Sequence, residues 1–244
     1  MAINTFPLVL EDAYWITPTV KHFVFHSTMT PPFNYLPGQF ITVQFEREGQ
    51  TLRRSYSIAN APTQNNRIEF AAGYREGGPG TEFLFNLTPS ESITVMGPFG
   101  RLILKNEIPK RYILIATSTG ITPYRAMIPS LTEHLHTNPS LSIVIIQGVQ
   151  TQEDVLYEAD FAAFAAKHPQ VQVRKQLSQA KEIDPSKQEY RGHAQLSFPD
   201  LALNPTEDLV YLCGNPSMID EAFTLLTDQG FATQRIIREK YISK

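Results

Sequence analysis

Five consecutive apolar residues, Tyr112 to Ala116, run straight into Thr117-Ser118-Thr119-Gly120-Ile121-Thr122-Pro123. A strand that is apolar at every position is buried on both faces, and such strands belong to parallel sheets with helices on each side. The small hydroxyl and glycine residues after it open a helical pattern over Ile121 to His136. Parallel α/β domains hold dinucleotide phosphates at strand–turn–helix units of this kind. The alternation continues as strand Ser142–Gln147, helix Val155–His168, strand Val171–Lys175, strand Leu209–Cys213, helix Pro216–Gln229 and strand Arg235–Arg238. Lys181–Tyr190 reads as a polar loop.

The chain before Leu104 has a different texture. Short β-type runs at Lys21–His26, Gln39–Phe45, Arg54–Ala59, Arg67–Tyr74 and Ser92–Met96 are punctuated by Pro31-Pro32, Pro37-Gly38, Asn65-Asn66 and Gly77-Gly78. Many short strands with little helix predict an antiparallel β-barrel, with Pro79–Leu87 as a short helix across its open end. The fold class is therefore two-domain: an N-terminal antiparallel β-barrel over residues 1–106 and a C-terminal α/β parallel-sheet domain over 107–244.

Composition excludes several function classes. The net charge is -3, with 7 basic and 8 acidic residues up to Leu104 and 14 and 16 after it, so neither part carries the charge excess of a nucleic-acid binder. Cys213 is the one cysteine, which rules out an internal disulfide, a Cys-rich zinc site and a cysteine-ligated iron–sulfur cluster. No His/Asp/Glu cluster suggests a metal, and the remaining histidines read as residues of solvated faces. Met1–Trp15 lacks the basic and apolar regions of a signal peptide, and no apolar run is long enough to span a bilayer. The expected location is cytoplasmic.

Four motifs carry chemistry. In Arg54-Ser55-Tyr56-Ser57, strand alternation puts Arg54 and Tyr56 on one face and Ser55 and Ser57 on the other. A cationic fork beside a flat ring suits a ligand with both a phosphate and an aromatic system. Gly77-Gly78-Pro79-Gly80-Thr81 precedes the short helix, where glycines admit close backbone approach and Thr81 adds a hydroxyl. Alone it is equally a plain turn with Thr81 as N-cap. Gly97-Pro98-Phe99-Gly100 reads as a turn. Thr117–Pro123 and Cys213-Gly214-Asn215-Pro216-Ser217-Met218 both leave buried strands at their carboxyl ends, where open parallel sheets bind ligands. Asn215 with Pro216 is also a good helix start in any fold.

Taken in this order, these motifs resemble those of the ferredoxin–NADP reductase superfamily over nearly the whole chain. The resemblance implies an FAD-binding barrel, an NAD(P)-binding α/β domain, and a flavoprotein that exchanges electrons between a nicotinamide dinucleotide and a small redox protein, ferredoxin or flavodoxin. It implies that Arg54 and Thr81, with Ser55, Gly78 and Gly80, hold the FAD pyrophosphate. Tyr56 would lie against the isoalloxazine and Ser57 near flavin N5; Tyr74 or its strand neighbour Ala72 would face the adenosine. Thr119, Gly120 and Cys213 would flank the meeting point of nicotinamide and flavin, in a cleft between two lobes. Gly148, Val149, Gln150, Ser178, Gly214, Asn215, Pro216 and Met218 would contact the dinucleotide. Glu239 and Tyr241 match a C-terminal acidic and aromatic pair, with Tyr241 either covering the ring or standing uninvolved at a frayed end. Ser57, Cys213 and Glu239 are the catalytic candidates.

The departures concern the second substrate. Ser118 stands where the resembled loop has glycine. Gln150, Gln179 and His193 stand where relatives carry arginine, so the pairing expected of a 2′-phosphate is missing unless Lys175, Lys181 or Arg191 supplies it. Arg53, Arg75, Arg101 and Lys105 are candidates for steering an acidic partner. Two other functions fit the same motifs: an NAD(P)H-dependent reductase of free flavins or quinones, and an electron-transfer subunit of a larger complex.

Overall fold

The computed structural model describes residues 4–62 and 65–241; Met1–Ile3 of the N-terminal segment read above lie outside them. The chain divides into two compact units, Met1–Leu104 with Thr122–Met127, and Lys105–Ile121 with Ile128–Lys244.

The first unit holds strands β1 (Asn4–Thr17), β2 (Val20–Ser27), β3 (Phe40–Arg47), β4 (Gln50–Ser57) and β5 (Arg67–Gly73), helix α1 (Pro79–Phe85) and strand β6 (Ser92–Phe99). They form one antiparallel sheet in the order β4-β3-β6-β1-β2-β5. Past the end of β4, Ile58 bridges antiparallel to Phe70 of β5. Alternate residues point inward to a core of Phe6, Leu8, Leu10, Phe23, Phe25, Ile41, Val43, Ile68, Phe70 and Val95, as period-2 patterning demands. The β3–β4 connection is a two-residue turn with Glu48 and Gly49 both at positive φ (51° and 75°), which matches the right-handed twist of the flanking strands.

Three features of this unit were not read from the sequence. β1 is a long strand that pairs with both β2 and β6. Pro7 argues against a strand there, but it precedes the β2 pairing, which begins at Leu8, so β1 has one neighbour at that point. β6 runs on to Phe99, which pairs with Phe40, so Gly97-Pro98-Phe99 is strand and not turn. His22 is fully buried beside Glu69 at 3.3 Å, against the expectation of a solvated face.

The second unit continues with β7 (Arg111–Thr117), α2 (Thr122–Thr137, shared between the units), β8 (Ser142–Val149), α3 (Glu158–Lys167), β9 (Val171–Leu177), β10 (Glu189–Arg191), α4 (Phe198–Leu201), β11 (Asp208–Gly214), α5 (Pro216–Asp228) and β12 (Ile236–Lys240). All its strand pairs are parallel, in the order β10-β9-β8-β7-β11-β12. Ile113, Ile115, Val144, Ile146, Val210 and Leu212 pack on one face against Phe198, Leu201, Ile219, Ala222 and Leu226 of α4 and α5. On the other face Tyr112 meets His134 of α2, ring centroids 5.9 Å apart, and Lys175 meets Glu158 of α3. At the opposite end of β7 and β11, Arg111 donates through Nε and Nη2 to Asp208 at 3.0 and 2.6 Å. β10 begins within the stretch read as a polar loop, and α4 lies where the sequence reading placed no element. β10 forms because Glu189–Arg191 falls in register with Lys175–Leu177, a tertiary pairing with no local signature.

Candidate functional site

In the first unit, β4 carries Arg54 and Tyr56 on one face, while Ser55 on the other meets Thr42 Oγ1 at 3.0 Å. The Tyr56 ring stacks on Phe70, centroids 4.8 Å apart and 20° from parallel. Burial pushes its phenol up to about 12, with the nearby Arg54 cation pulling the other way. The ring is thus a neutral, fixed surface. Gly80 lies between these side chains. A methyl there would stand 3.0 Å from Arg54 Cγ and 3.1 Å from Tyr56 Oη. Glycine lets the start of α1 approach the Arg54 side chain, and helix geometry leaves the Gly80 and Thr81 amides without an intrahelical acceptor. A pyrophosphate beside a planar ring system fits these donors.

The helix begins one residue after Gly78, its N-cap, so Thr81 is not the N-cap. The Thr81 hydroxyl instead accepts from the Arg75 amide at 3.1 Å, which fixes the loop before the helix. Ser57 is buried, at 4% exposure. Of the two adenosine candidates, Ala72 packs in the core, which removes its side chain from any ligand. Tyr74 is 54% exposed and edge-on to Phe85 at 5.6 Å. Trp15 meets the same Phe85 at 5.3 Å, and Lys21 Nζ lies 5.6 Å from its ring. The sequence named Tyr74 alone of this aromatic ledge; Trp15 was missed because it sits on a strand that the sequence reading did not recognise.

In the second unit, the chain leaves the sheet in opposite directions from β7 and β11, so their carboxyl ends form the topological switch point. The two loops there touch backbone to backbone. A methyl on Gly120 would fall 2.4 Å from the Cys213 carbonyl oxygen, and one on Gly214, whose φ is +119°, 2.4 Å from Thr117 Oγ1. That hydroxyl accepts from the Asn215 amide at 2.8 Å, and Asn215 caps α5 by accepting from Ser217 N–H at 2.8 Å. Thr117–Ile121 thus turns tightly beside the start of a 13-residue helix, which suits dinucleotide phosphates. Ser118 takes φ +47°, so serine adopts the left-handed conformation that glycine would adopt without strain.

Cys213 is 0% exposed. Burial, and next the Glu239 charge, hold its thiol well above the usual range, partly offset by hydrogen bonds from Tyr241 and the Gly214 amide. Cys213 and Glu239 are register partners on β11 and β12, and the Tyr241 amide donates to the Gly214 carbonyl at 2.8 Å. Tyr241 therefore continues the ladder beyond β12 instead of fraying. Met218 is buried in the core of this unit. Gly148 faces Ala194, whose Cβ would lie 3.1 Å from an added methyl, and Val149 is buried. Their part is to place Gln150 and Ser178: the Val149 carbonyl accepts from Ser178 N–H at 3.0 Å and from its hydroxyl at 3.3 Å.

Comparison with known proteins agrees with both halves of this geometry. Residues 7–103 match the model of an oxidoreductase FAD-binding domain, and residues 114–223 that of an oxidoreductase NAD-binding domain. The chain belongs to the ferredoxin/flavodoxin–NAD(P) reductase-like family of FAD- and NAD-binding proteins. It is 28% identical to a ferredoxin–NADP reductase B from Sorangium cellulosum, covering 84% of each chain. Identity is also 28% to the reductase component of a phenol 2-monooxygenase from Pseudomonas sp. strain CF600, over 93% of this chain but 62% of that one. In structure it resembles a ferredoxin–NADP+ reductase from Neisseria gonorrhoeae solved with FAD and NADP, with TM-score 0.83, 19% identity, and coverage of 98% and 99%. The chain is an FAD-dependent NAD(P)H oxidoreductase.

Proposed function

We propose that this family member is a ferredoxin- or flavodoxin-linked NAD(P) reductase: FAD held by residues 1–106 mediates between a dinucleotide held by residues 107–244 and a one-electron protein carrier. When bound, FAD would supply the chemistry that links a two-electron hydride carrier to a one-electron carrier. The observation that carries the reading is Gly80 set between Arg54 and Tyr56, which brings amide donors, a cation and a ring to one place. In this reading the antiparallel sheet acts as a barrel, with the Ile58–Phe70 bridge drawing its edges together. Arg54 and the amides of Gly80 and Thr81 neutralise the pyrophosphate, Tyr56 orients the isoalloxazine, Ser57 stands near N5, and Tyr74 supports the adenine. Thr119, Gly120 and Cys213 shape the nicotinamide end. Cys213 serves as a neutral thiol and Glu239 as the charged group beside it, with Tyr241 holding that corner.

A relative covered over 84% of its own length is named a ferredoxin–NADP reductase, which supports ferredoxin as acceptor. A separate carrier also fits Cys213, a single buried cysteine, since a cysteine-ligated iron–sulfur cluster needs several exposed to the metal. Arg53, Arg75 and Arg101 are exposed and would steer an acidic carrier. Lys105 is instead committed to the Gln234 carbonyl. Among the described residues no helix is long and apolar enough to cross a membrane. The test is an absorption spectrum of the purified protein, then anaerobic titration with dinucleotide and reoxidation by ferredoxin or flavodoxin. Flavin bands that bleach with dinucleotide and return with the carrier are expected. A colourless protein that FAD cannot reconstitute would overturn the proposal.

A further inference from the structure

We infer that the dinucleotide this chain selects is the one without a 2′-phosphate, NADH in preference to NADPH. The inference rests on the NAD(P)-dependent reading above and names the substrate of its second site. The switch point places the dinucleotide pyrophosphate at the ends of β7 and β11. With the nicotinamide at the Cys213 corner, the adenosine extends over the neighbouring strand ends, β8 at Val149 and β9 at Leu177. The groups there follow from the chain's exits. Gln150 and Gln179 are both exposed, and the Gln179 amide donates to the Gln150 carbonyl at 2.8 Å, so the two loops stand side by side. Each offers a neutral amide.

The cations that could meet a 2′-phosphate are either tied to other groups or buried. Lys175 has 9% of its side chain exposed and is paired with Glu158 at 2.7 Å and Glu189 at 3.6 Å. Arg191 spends Nη1 on the Ala180 carbonyl at 2.6 Å and Nη2 on the Lys181 carbonyl at 2.9 Å, clamping its own loop. Arg174 is buried, with its guanidinium 5.2 Å from the Tyr190 ring. Ser178 turns its hydroxyl back to Val149. Among the described residues of this loop, Lys181 is the exposed cation without such a tie, and exposed Glu182 follows it in sequence. A dianionic phosphate calls for a guanidinium fork or several charge-assisted bonds, and one flexible ammonium is a weak substitute. A ribose 2′-hydroxyl, by contrast, is fully satisfied by an amide carbonyl and an amide N–H, which Gln150 and Gln179 present.

The test separates this inference from the reading beneath it. Calorimetry on the FAD-loaded full chain compares 5′-AMP with 2′-phospho-AMP, and rapid mixing compares flavin bleaching by NADH and by NADPH. Binding of 2′-phospho-AMP weaker than that of AMP is expected, with NADH about tenfold or more ahead in bleaching, the worth of one charge-assisted hydrogen bond. Installing the missing forks with Gln150→Arg and Gln179→Arg should shift the AMP to 2′-phospho-AMP ratio toward the phosphorylated fragment by about tenfold or more. Tighter binding of 2′-phospho-AMP by the natural chain, or an unchanged ratio in the double variant, would overturn the inference and leave the FAD-reductase reading intact. Failure of both dinucleotides to bleach a bound flavin would overturn that reading instead.

Discussion

Arg54 and Tyr56 owe their role to their shared neighbour, Gly80, because the helix start can approach both side chains only where it carries none itself. Arg54→Ala keeps this backbone geometry and removes the charge. Loss of a charge-assisted phosphate contact costs about 1.5–3 kcal/mol. The variant should therefore retain FAD roughly ten- to a hundredfold less tightly, measured as flavin absorbance per mole of protein after gel filtration. Unchanged retention would mean that Arg54 does not touch the phosphates. Cys213 gives a second prediction. Its thiol is fully buried and held well above the ordinary range, whereas alkylation requires an accessible thiolate. Iodoacetamide at neutral pH should leave native Cys213 unmodified and label it fully in denaturant, as mass spectrometry can show. Rapid labelling of the native protein would place the thiol in solvent.

At the scale of elements, β5 is tied by charge as well as by its ladder. Glu69 on β5 accepts from Arg125 at 2.9 Å and stands 3.3 Å from buried His22 on β2, while Arg125 also donates to the Ala59 carbonyl at 3.0 Å. The His22 hydrogen bond first, and Arg125 with it, outweigh desolvation and bring the Glu69 carboxyl down from 4.5 to about 2. A lowered folded pKa means that this stabilisation is full above about pH 4.5 and is lost as the pH falls through 2. Its upper size is about 3 kcal/mol. Glu69→Gln should lower stability at pH 7 by up to that amount and flatten the loss of stability between pH 5 and 2. Urea midpoints across that range would show it. Equal slopes in both proteins would mean that the acid sensitivity lies elsewhere.

At the scale of the whole molecule, FAD contributes stability as well as chemistry. A ligand that binds only the folded state, present at a hundredfold excess over its Kd, adds about 2.7 kcal/mol. Removing the flavin should therefore lower the unfolding temperature by several degrees, and adding FAD back should restore it. A thermal scan of apo and reconstituted protein tests this. A melting temperature indifferent to FAD would mean that the folded chain does not bind it.

Local patterning along the chain determined the change from antiparallel to parallel architecture near Leu104, the buried strands Tyr112–Ala116 and Leu209–Cys213, and the glycine-bearing turns after them. Each depends on apolar period or turn chemistry within a few residues. The tertiary structure decided what depends on partners distant in sequence. It recruited Pro7-bearing β1 as a strand, and Glu189–Arg191, at the end of a stretch read as loop, as another. It turned Ala72 and Met218 into the core while leaving Tyr74 beside Phe85, and it buried His22 against Glu69. It also engaged Lys175 and Arg191, two of the three cations that the sequence left available to a phosphate. A side chain's charge is written in the sequence, but whether that charge is free for a ligand depends on which carboxylates and carbonyls the fold brings to it.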